Sequence, residues 1–271
     1  MPILTIFTPA YNRGHTLPRT YASLRRQDCK DFIWLVVDDG STDKTPEICR
    51  KLAEEDSRIR FFRSEKNRGV SLSRLSAVKH AEGRFLAFLD GDDVWSKDKL
   101  STQVIFMLKN KYPISHTEYA FINAEGKLLP RGHLKVDREV DLKKLMKTTQ
   151  LGLSTVMVDR RQIGKTVPFP EKRTLSEDTA AWMSLMRRGF KSYGIPRVMM
   201  LYRVRSSQLS GNKARMAFNM LNNYLREKSI PLHKRFYYWS CYAVNGFAKR
   251  LRKSGGIPAE ILQNFDQRYN R

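Results

Sequence analysis

The chain has 271 residues, enough to bury a full core as one large domain or as a domain with an appendage. Its 41% apolar content is ordinary for a soluble globular protein, whereas a formal charge of +23 points to an anionic partner: nucleic acid, an anionic membrane surface or phosphorylated substrates. Three widely spaced cysteines (Cys29, Cys49, Cys241) argue against a disulfide framework or a zinc site and suit a reducing compartment, and no uncharged apolar run reaches the roughly 18–20 residues of a bilayer span.

The first half of the chain alternates. "ILTIFT" (3–8) reads as a strand, and "HTLPRTYASLRRQ" (15–27) as a helix with Leu17, Tyr21 and Leu24 on one face. "DFIWLVV" (31–37) is a second strand, and Thr42 or Asp43 caps a helix running to about residue 55. "RIRFFRS" (58–64) is a third strand. Gly69 opens a helix to about 82, and 85–89 is a fourth, wholly apolar strand. This repetition predicts an α/β fold with a doubly wound, mostly parallel sheet flanked by helices, in which ligands bind beyond the carboxyl ends of the strands. The second half predicts a helix (97–110), a hairpin turning at Glu125-Gly126, a helix (141–148), a strand (154–158), a helix from "SEDTAAW" closed by Gly189, a strand (198–204) and helix from about 214 onward. A first half (about 1–110), a second half (about 111–212) and a helical tail (213–271) are the expected divisions.

The strand ends carry "TPAYN", "DDGSTD" and "DGDD". "FLAFLDGDDVW" drives five apolar residues into Asp90, Asp92 and Asp93, and such a carboxylate cluster calls for a positive partner. Hard oxygen ligands suit Mg²⁺ or Mn²⁺ together with substrate phosphates; solvated turn residues ahead of a helix are the plainer alternative. Pro9 and Tyr11 can hold a base by stacking and Asp39 can accept a base N–H, or the two polar residues simply order their loops. Neither GxxxxGK[ST] nor GxGxxG follows the first strand, so P-loop and Rossmann dinucleotide binding are unsupported. The histidines show no metal-binding spacing.

Taken in order, "TPAYNRGHTLPRTYASLRRQ", "VVDDGSTDKT", "NRGVSLSR", "FLDGDDVW", "SEDTAAW" and "YRVRSSQLSGNK" resemble glycosyltransferase family 2, the inverting nucleotide-sugar transferases of the GT-A fold, over about residues 1–212. The tail looks like the bacterial cell-envelope branch that builds O-antigen (lipopolysaccharide) or teichuronic-type polysaccharide. The resemblance implies that Pro9, Tyr11 and Asp39 hold uracil, that Arg74 supports the nucleotide, and that Asp90 and Gly91 lie near the ribose. It makes Asp92 the ligand of a manganese or magnesium ion, Asp93 a brace for the loop, Asp178 the general base, and Glu177 its positioning partner. Displacing UDP needs charge stabilised on the leaving diphosphate and a base on the opposite side, so two acidic sites on separate elements fit the chemistry. As a plainer alternative, Glu177 and Asp178 decorate a helix N-terminus, where acids are favourable.

Arg203 and Arg205 can clamp the diphosphate bidentately, or lie on the surface. Many family members carry His at the third position after the Tyr; Arg205 stands there in this chain, which leaves the metal's second protein ligand open. The Q-x-x-R-W motif of processive synthases is absent, favouring one sugar per encounter. The expected partners are a UDP-sugar and a lipid-linked glycan hydroxyl, with no nucleic acid, because no RRM, KH or helix-turn-helix signature accompanies the charge. A nucleotidyltransferase shares the acidic metal chemistry, but "TPAYNRGHTLPR" is not its glycine-rich loop.

From Arg187 onward eighteen Lys and Arg face three acids, +15 of the total charge. Phe236, Tyr237, Tyr238, Trp239, Tyr242 and Phe247 lie in an uncharged stretch between "HKR" and "KRLRK". Two readings stand: an interfacial helix on an anionic leaflet, or a helix packing its aromatics on the catalytic domain. With no basic n-region and apolar stretch at the N-terminus, the expected location is cytoplasmic, peripheral on the cytoplasmic face of the inner membrane.

Overall fold

The computed structural model describes residues 3–148, 150–171, 176–205, 213–251 and 262–265. The apolar runs of the first half form the expected strands: β1 (Leu4–Ala10), β2 (Phe32–Asp38), β3 (Ile59–Arg63) and β4 (Phe85–Phe88). They are separated by the helices α1 (Leu17–Arg25), α2 (Thr45–Glu55) and α3 (Val70–His80). All four strands are parallel, and the chain leaves β1 first towards β2 and β3, then returns to β4 on its other side. The strand order therefore reverses between β1 and β4, and the crevice beyond their carboxyl ends is where open α/β sheets bind ligands.

The remaining elements extend the sheet as β9-β6-β10-β5 beyond β4. These are β5 (Val94–Trp95), α4 (Lys99–Asn110), the hairpin β6 (Ile114–Ile122) and β7 (Leu128–Leu134), β8 (Glu139–Val140), α5 (Leu142–Thr148), β9 (Met157–Asp159), α6 (Arg160–Ile163), α7 (Glu177–Arg187) and β10 (Ser192–Arg203). β10 runs parallel to β6, while β5, β7, β8 and β9 pair antiparallel. Side chains alternate across a strand, so Leu4, Ile6, Trp34 and Val36 enter one core, and Phe7, Leu35, Val37 and Phe88 the other. Both faces are covered by helices, which explains why the central strands read as continuously apolar.

Two boundaries differ from expectation for local reasons. The strand expected at 154–158 is preceded by a 3-10 turn at Leu153–Thr155, where Thr155 Oγ1 donates to the Gly152 carbonyl at 2.6 Å and competes with extended backbone. β10 begins well before 198 and passes through Pro196 by shifting register between Ile195 and Val198, which absorbs the missing N–H.

The C-terminal region is two helices, α8 (Lys213–Leu225) and α9 (Leu232–Leu251), interrupted at Pro231. They pack on the α5 and α7 side of the sheet, with Tyr224, Tyr238 and Met220 in that core. Phe265 returns to the other end of the sheet against Val94 and Ala120. Phe247 and "KRLRK" fall where side chains lie outside the described residues.

His116 on β6 is fully buried and hydrogen-bonds Ser192 Oγ through Nδ1 at 2.8 Å. Burial pushes its imidazole down from 6.5 to about 3. It is neutral in the fold but free to charge in the unfolded chain, so the stability it contributes is present above pH 6.5 and is lost as pH falls towards 3. Chemical denaturation across that window should show stability falling by about 1.4 kcal/mol per pH unit from this group, and His116→Asn should flatten the slope by that amount.

Candidate active site

β1 and β2 pair in register, Pro9 beside Val37 and Ala10 beside Asp38, so their ends emerge together. Pro9 is half-buried, and Tyr11 just beyond it is 41% exposed, an open ring face at the mouth of the crevice. Asp39 is buried; its N–H donates to the Ala10 carbonyl at 2.8 Å, and its carboxylate accepts from the N–H groups of Arg68 (2.9 Å) and Gly69 (2.7 Å). That places a carboxylate at the head of α3, where unpaired amides and the helix dipole favour negative charge. The turn requires Gly40: its φ is +73°, and a Cβ there would lie 2.7 Å from the Lys66 backbone.

The acidic loop after β4 is held from four sides. Thr16 Oγ1 and Thr20 Oγ1 of the α1 region donate to the carbonyls of Gly91 (2.7 Å) and Asp93 (2.9 Å). Ser154 Oγ donates to Asp93 at 2.6 Å and accepts from the Asp90 N–H at 3.0 Å. The N–H of Arg203 donates to the other Asp93 oxygen at 3.1 Å. Asp93 is thus wholly committed to the protein, and burial, then Asp92 and Asp90, raise its pKa well above the usual carboxylate value.

Asp92 accepts a charge-assisted bond from Arg205, and Arg13 Nε lies 3.7 Å away. The positive field of these arginines is felt at His15, whose pKa is lowered by burial and then by Arg205 and Arg13. Arg203, expected at a diphosphate, has a different task. Its Nε donates to the Asp92 carbonyl at 2.9 Å and its Nη1 to the carbonyls of Asn123 and Ala124, and the residue is 1% exposed. A guanidinium has five donors in a fixed fork, enough to serve several carbonyls at once, and here they are used to fasten the loop.

A second carboxylate pair faces the first across Arg74. Ser176, in the left-handed region at φ 67°, turns the chain into α7, and Glu177 and Asp178 open that helix. Arg74, whose side chain is 6% exposed, donates to Glu177 and sits 3.5 Å from Asp90. Burial raises the pKa of both acids, with Arg74 acting against it. Burial alone would lower the Arg74 pKa, but Glu177, Asp90 and Asp178 overcome it. Arg74 therefore couples the two acidic sites. Asp178 is half-buried and accepts from the Thr179 N–H at 2.7 Å.

The structure forms two ion-pair groups side by side on the acidic loop, Arg74 with Asp90 and Glu177, and Arg205 with Asp92, with Pro9, Tyr11 and Asp39 at the adjoining strand ends. Arg13 and Ser154 were not singled out in the sequence. Arg13 stands two residues after Tyr11 in "AYNRG" and could have been flagged as a cation at a strand end, whereas nothing in "LGLST" signals the two bonds of Ser154. Among the described residues no three Asp, Glu, His or Cys side chains gather as a metal cage. Asp92, with Asp90 at the rim, nevertheless supplies the one or two hard carboxylates with which Mg²⁺ is held when phosphates complete its shell. The residues fit an ion that shares its coordination with a bound diphosphate, and Asp92 is the residue that would hold it.

A mixed sheet whose parallel part ends in a charged switch-point crevice is an architecture that hosts many ligand-binding proteins, and comparison makes the class definite. Residues 5–171 match the model of Glycosyl transferase family 2. Over 92% of this chain and 98% of its own length, the putative teichuronic acid biosynthesis glycosyltransferase TuaG of Bacillus subtilis is 33% identical. The UDP-Glc:alpha-D-GlcNAc-diphosphoundecaprenol beta-1,3-glucosyltransferase WfaP of Escherichia coli is 32% identical over 92% of this chain and 96% of its own. The mannosyltransferase PcManGT of Pyrobaculum calidifontis, solved with GDP-Man and Mn²⁺, superposes with a TM-score of 0.68 at 19% identity, covering 97% of this chain and 78% of that one, and shares the GT-A fold. The chain belongs to glycosyltransferase family 2 and is a glycosyltransferase.

The contrasting roles of the two arginines are testable by thermal melting. Arg203→Met strips donors from the buried Asp92 carbonyl and from the part-buried carbonyls of Asn123 and Ala124, empties a nearly inaccessible site, and should destabilise the fold by about 3 kcal/mol or more. Arg205→Met removes a largely buried charge-assisted bond to Asp92 but leaves Arg13 beside that carboxylate, and should cost about 1–2 kcal/mol, less than Arg203→Met.

Proposed function

We propose that the protein transfers one sugar per encounter, with inversion, from a UDP-sugar to a hydroxyl of a lipid-linked glycan during assembly of a bacterial cell-surface polysaccharide. The observation that carries this reading is the pair of acidic sites on separate elements, Asp90/Asp92 after β4 and Glu177/Asp178 at the head of α7, joined through Arg74. The donor and acceptor classes are supported by what the name of WfaP says of that protein, and polysaccharide assembly by the name of TuaG.

In this reading Tyr11 and Pro9 cover the uracil face, and Asp39 accepts its N–H with the lone pairs that the α3 amides leave over. Asp90 and Gly91 lie along the ribose. A divalent Mg²⁺ or Mn²⁺, held by Asp92 when bound, supplies Lewis-acid stabilisation of the leaving diphosphate. Arg205 and Arg13, already beside Asp92, add positive charge on the same side. Asp178 takes the proton of the acceptor hydroxyl, whose oxygen forms the new bond to the anomeric carbon. The old carbon–oxygen bond breaks with its electron pair going to UDP. Glu177 is fixed by Arg74 and orients the helix head rather than taking the proton, because its carboxylate is buried and tied to a guanidinium, whereas Asp178 is half-buried and accepts from the neighbouring Thr179 amide. The reaction would run on the cytoplasmic face of the inner membrane, where a lipid-linked acceptor is presented.

Asp178→Asn should leave UDP binding intact and cut transfer by about 10²–10⁴-fold, the usual loss for a general base. Near-normal transfer by that variant moves the base elsewhere, with Glu177 the first suspect. In differential melting, UDP should raise the midpoint only with Mg²⁺ or Mn²⁺ present, since the ion is what ties the anionic diphosphate to the Asp92 carboxylate, and Asp92→Ala should lose the shift. An equal shift in EDTA would remove Asp92 from the metal role.

A further inference from the structure

The two readings of the C-terminal aromatics prove to describe two faces of one helix. On the inner face of α9, Tyr238 is 6% exposed within the main core, Trp239 Nε1 donates to the Ala217 carbonyl of α8 at 3.0 Å, and Asn245 Nδ2 donates to the Lys147 carbonyl of α5 at 3.0 Å. Tyr242 packs edge-on against Tyr224. The outer face is different. Leu232, Phe236 and Val244 are 55%, 45% and 66% exposed, and their spacing in multiples of four residues puts them in one row along the helix. Tyr237, 56% exposed, flanks that row. Phe218 on α8, 63% exposed, follows directly after Ala217, to which α9 is hydrogen-bonded. Large apolar side chains scattered singly are normal at a surface, but an aligned row on one helix marks an interaction face.

Charge identifies the occupant. No acid occurs between residues 228 and 251, and the one acid just before, Glu227, is 2% exposed and paired with Arg187 at 3.3 Å. Arg226, Lys228, His233 and Lys234 are exposed beside the apolar row. An apolar stripe with a basic border and no opposing acid is the pattern of a helix lying in the headgroup region of an anionic bilayer. The row spans ~18 Å at 1.5 Å per residue, and among the described residues no helix is long and apolar enough to cross a membrane. The helix would lie in the surface plane rather than span it.

Position links this face to the chemistry. Asn223 Nδ2 of α8 donates to the carbonyl of Ser176, the residue that turns the chain into Glu177 and Asp178, at 3.4 Å. On the inner side of α9, the Tyr242 hydroxyl is raised in pKa by burial and then by the charge of Asp178. The helices carrying the exposed row therefore also buttress the acceptor-side carboxylates. We infer that the outer face of α9, built on Leu232, Phe236, Tyr237 and Val244 with Phe218 of α8, docks the enzyme on an anionic lipid surface, with α9 between that surface and Asp178 and so holding the acceptor-side carboxylates close to where a membrane-anchored acceptor lies. This inference rests on the lipid-linked acceptor of the proposed function.

Because α9 contributes to the core, truncation is the wrong probe, and surface substitution of the full chain is the right one. Flotation should be measured with phosphatidylcholine vesicles and with vesicles in which part of the lipid is phosphatidylglycerol. The full chain should float with the anionic vesicles only, and raised salt should weaken it. Phe236→Ser/Tyr237→Ser/Val244→Ser should reduce partitioning by at least about tenfold, given the apolar area withdrawn from the interface. The variant should keep the wild-type melting midpoint and its metal-dependent UDP shift, since none of the three residues lies in the cleft. Equal flotation of variant and wild type, or none by either, overturns the docking face. So does a light-scattering mass showing that the wild type is a dimer which the variant dissolves, because the row then meets a second copy. Loss of the UDP shift in the wild-type protein would instead strike at the proposed function, so the two failures are distinguishable.

Discussion

A guanidinium buried between carboxylates holds this enzyme's halves in relation to one another. Arg74 belongs to the nucleotide-side helix α3, yet it donates to Glu177 at the head of α7 and approaches Asp90 at the end of β4. Taking such a charge out of water is expensive unless its partners are close and well placed. The three groups therefore constrain one another: none can move far without leaving a buried charge uncompensated. The acids at the head of α7 and those after β4 are in effect set at a fixed spacing by one side chain.

The acidic loop repeats the same physics on a smaller scale. Asp93 is given up entirely to structure, accepting from Ser154 and from the Arg203 amide, and Arg203 spends its side chain on main-chain carbonyls. Asp92 has Arg205 and Arg13 beside it. A cluster of three aspartates thereby separates into one buried brace, one member at the Arg74 bridge and one carboxylate paired with Arg205. Chemically identical residues acquire different tasks because their degrees of burial and their donors differ.

The C-terminal helices show how one element serves two surroundings. Aromatic residues on the inner arc of α9 complete the core over α5 and α8, while those on the outer arc stay in water. Tyr and Trp suit such a boundary, since their rings bury well and their polar ends still find partners, as Trp239 does on Ala217. The same packing steadies Ser176 and with it the entry to α7.

Much of this protein was legible in its sequence. Continuous apolar runs such as 31–37 and 85–89 specify strands buried on both faces, and the alternation with helices leads directly to a parallel sheet with a switch-point crevice. The clusters at the strand ends, "TPAYN", "DDGSTD" and "DGDD", had to converge once the sheet formed, because short loops leave them nowhere else to go. What the sequence could not assign were partners distant along the chain. That Arg74 meets Glu177 across 103 positions, that Arg203 faces inward while Arg205 two residues on reaches Asp92, and that Ser154 braces the loop all depend on which strands pair and in what register. A side chain's local pattern determines its element and its face; only tertiary packing decides which charge it meets, because burial and three-dimensional distance, not sequence separation, set the energy of an ion pair.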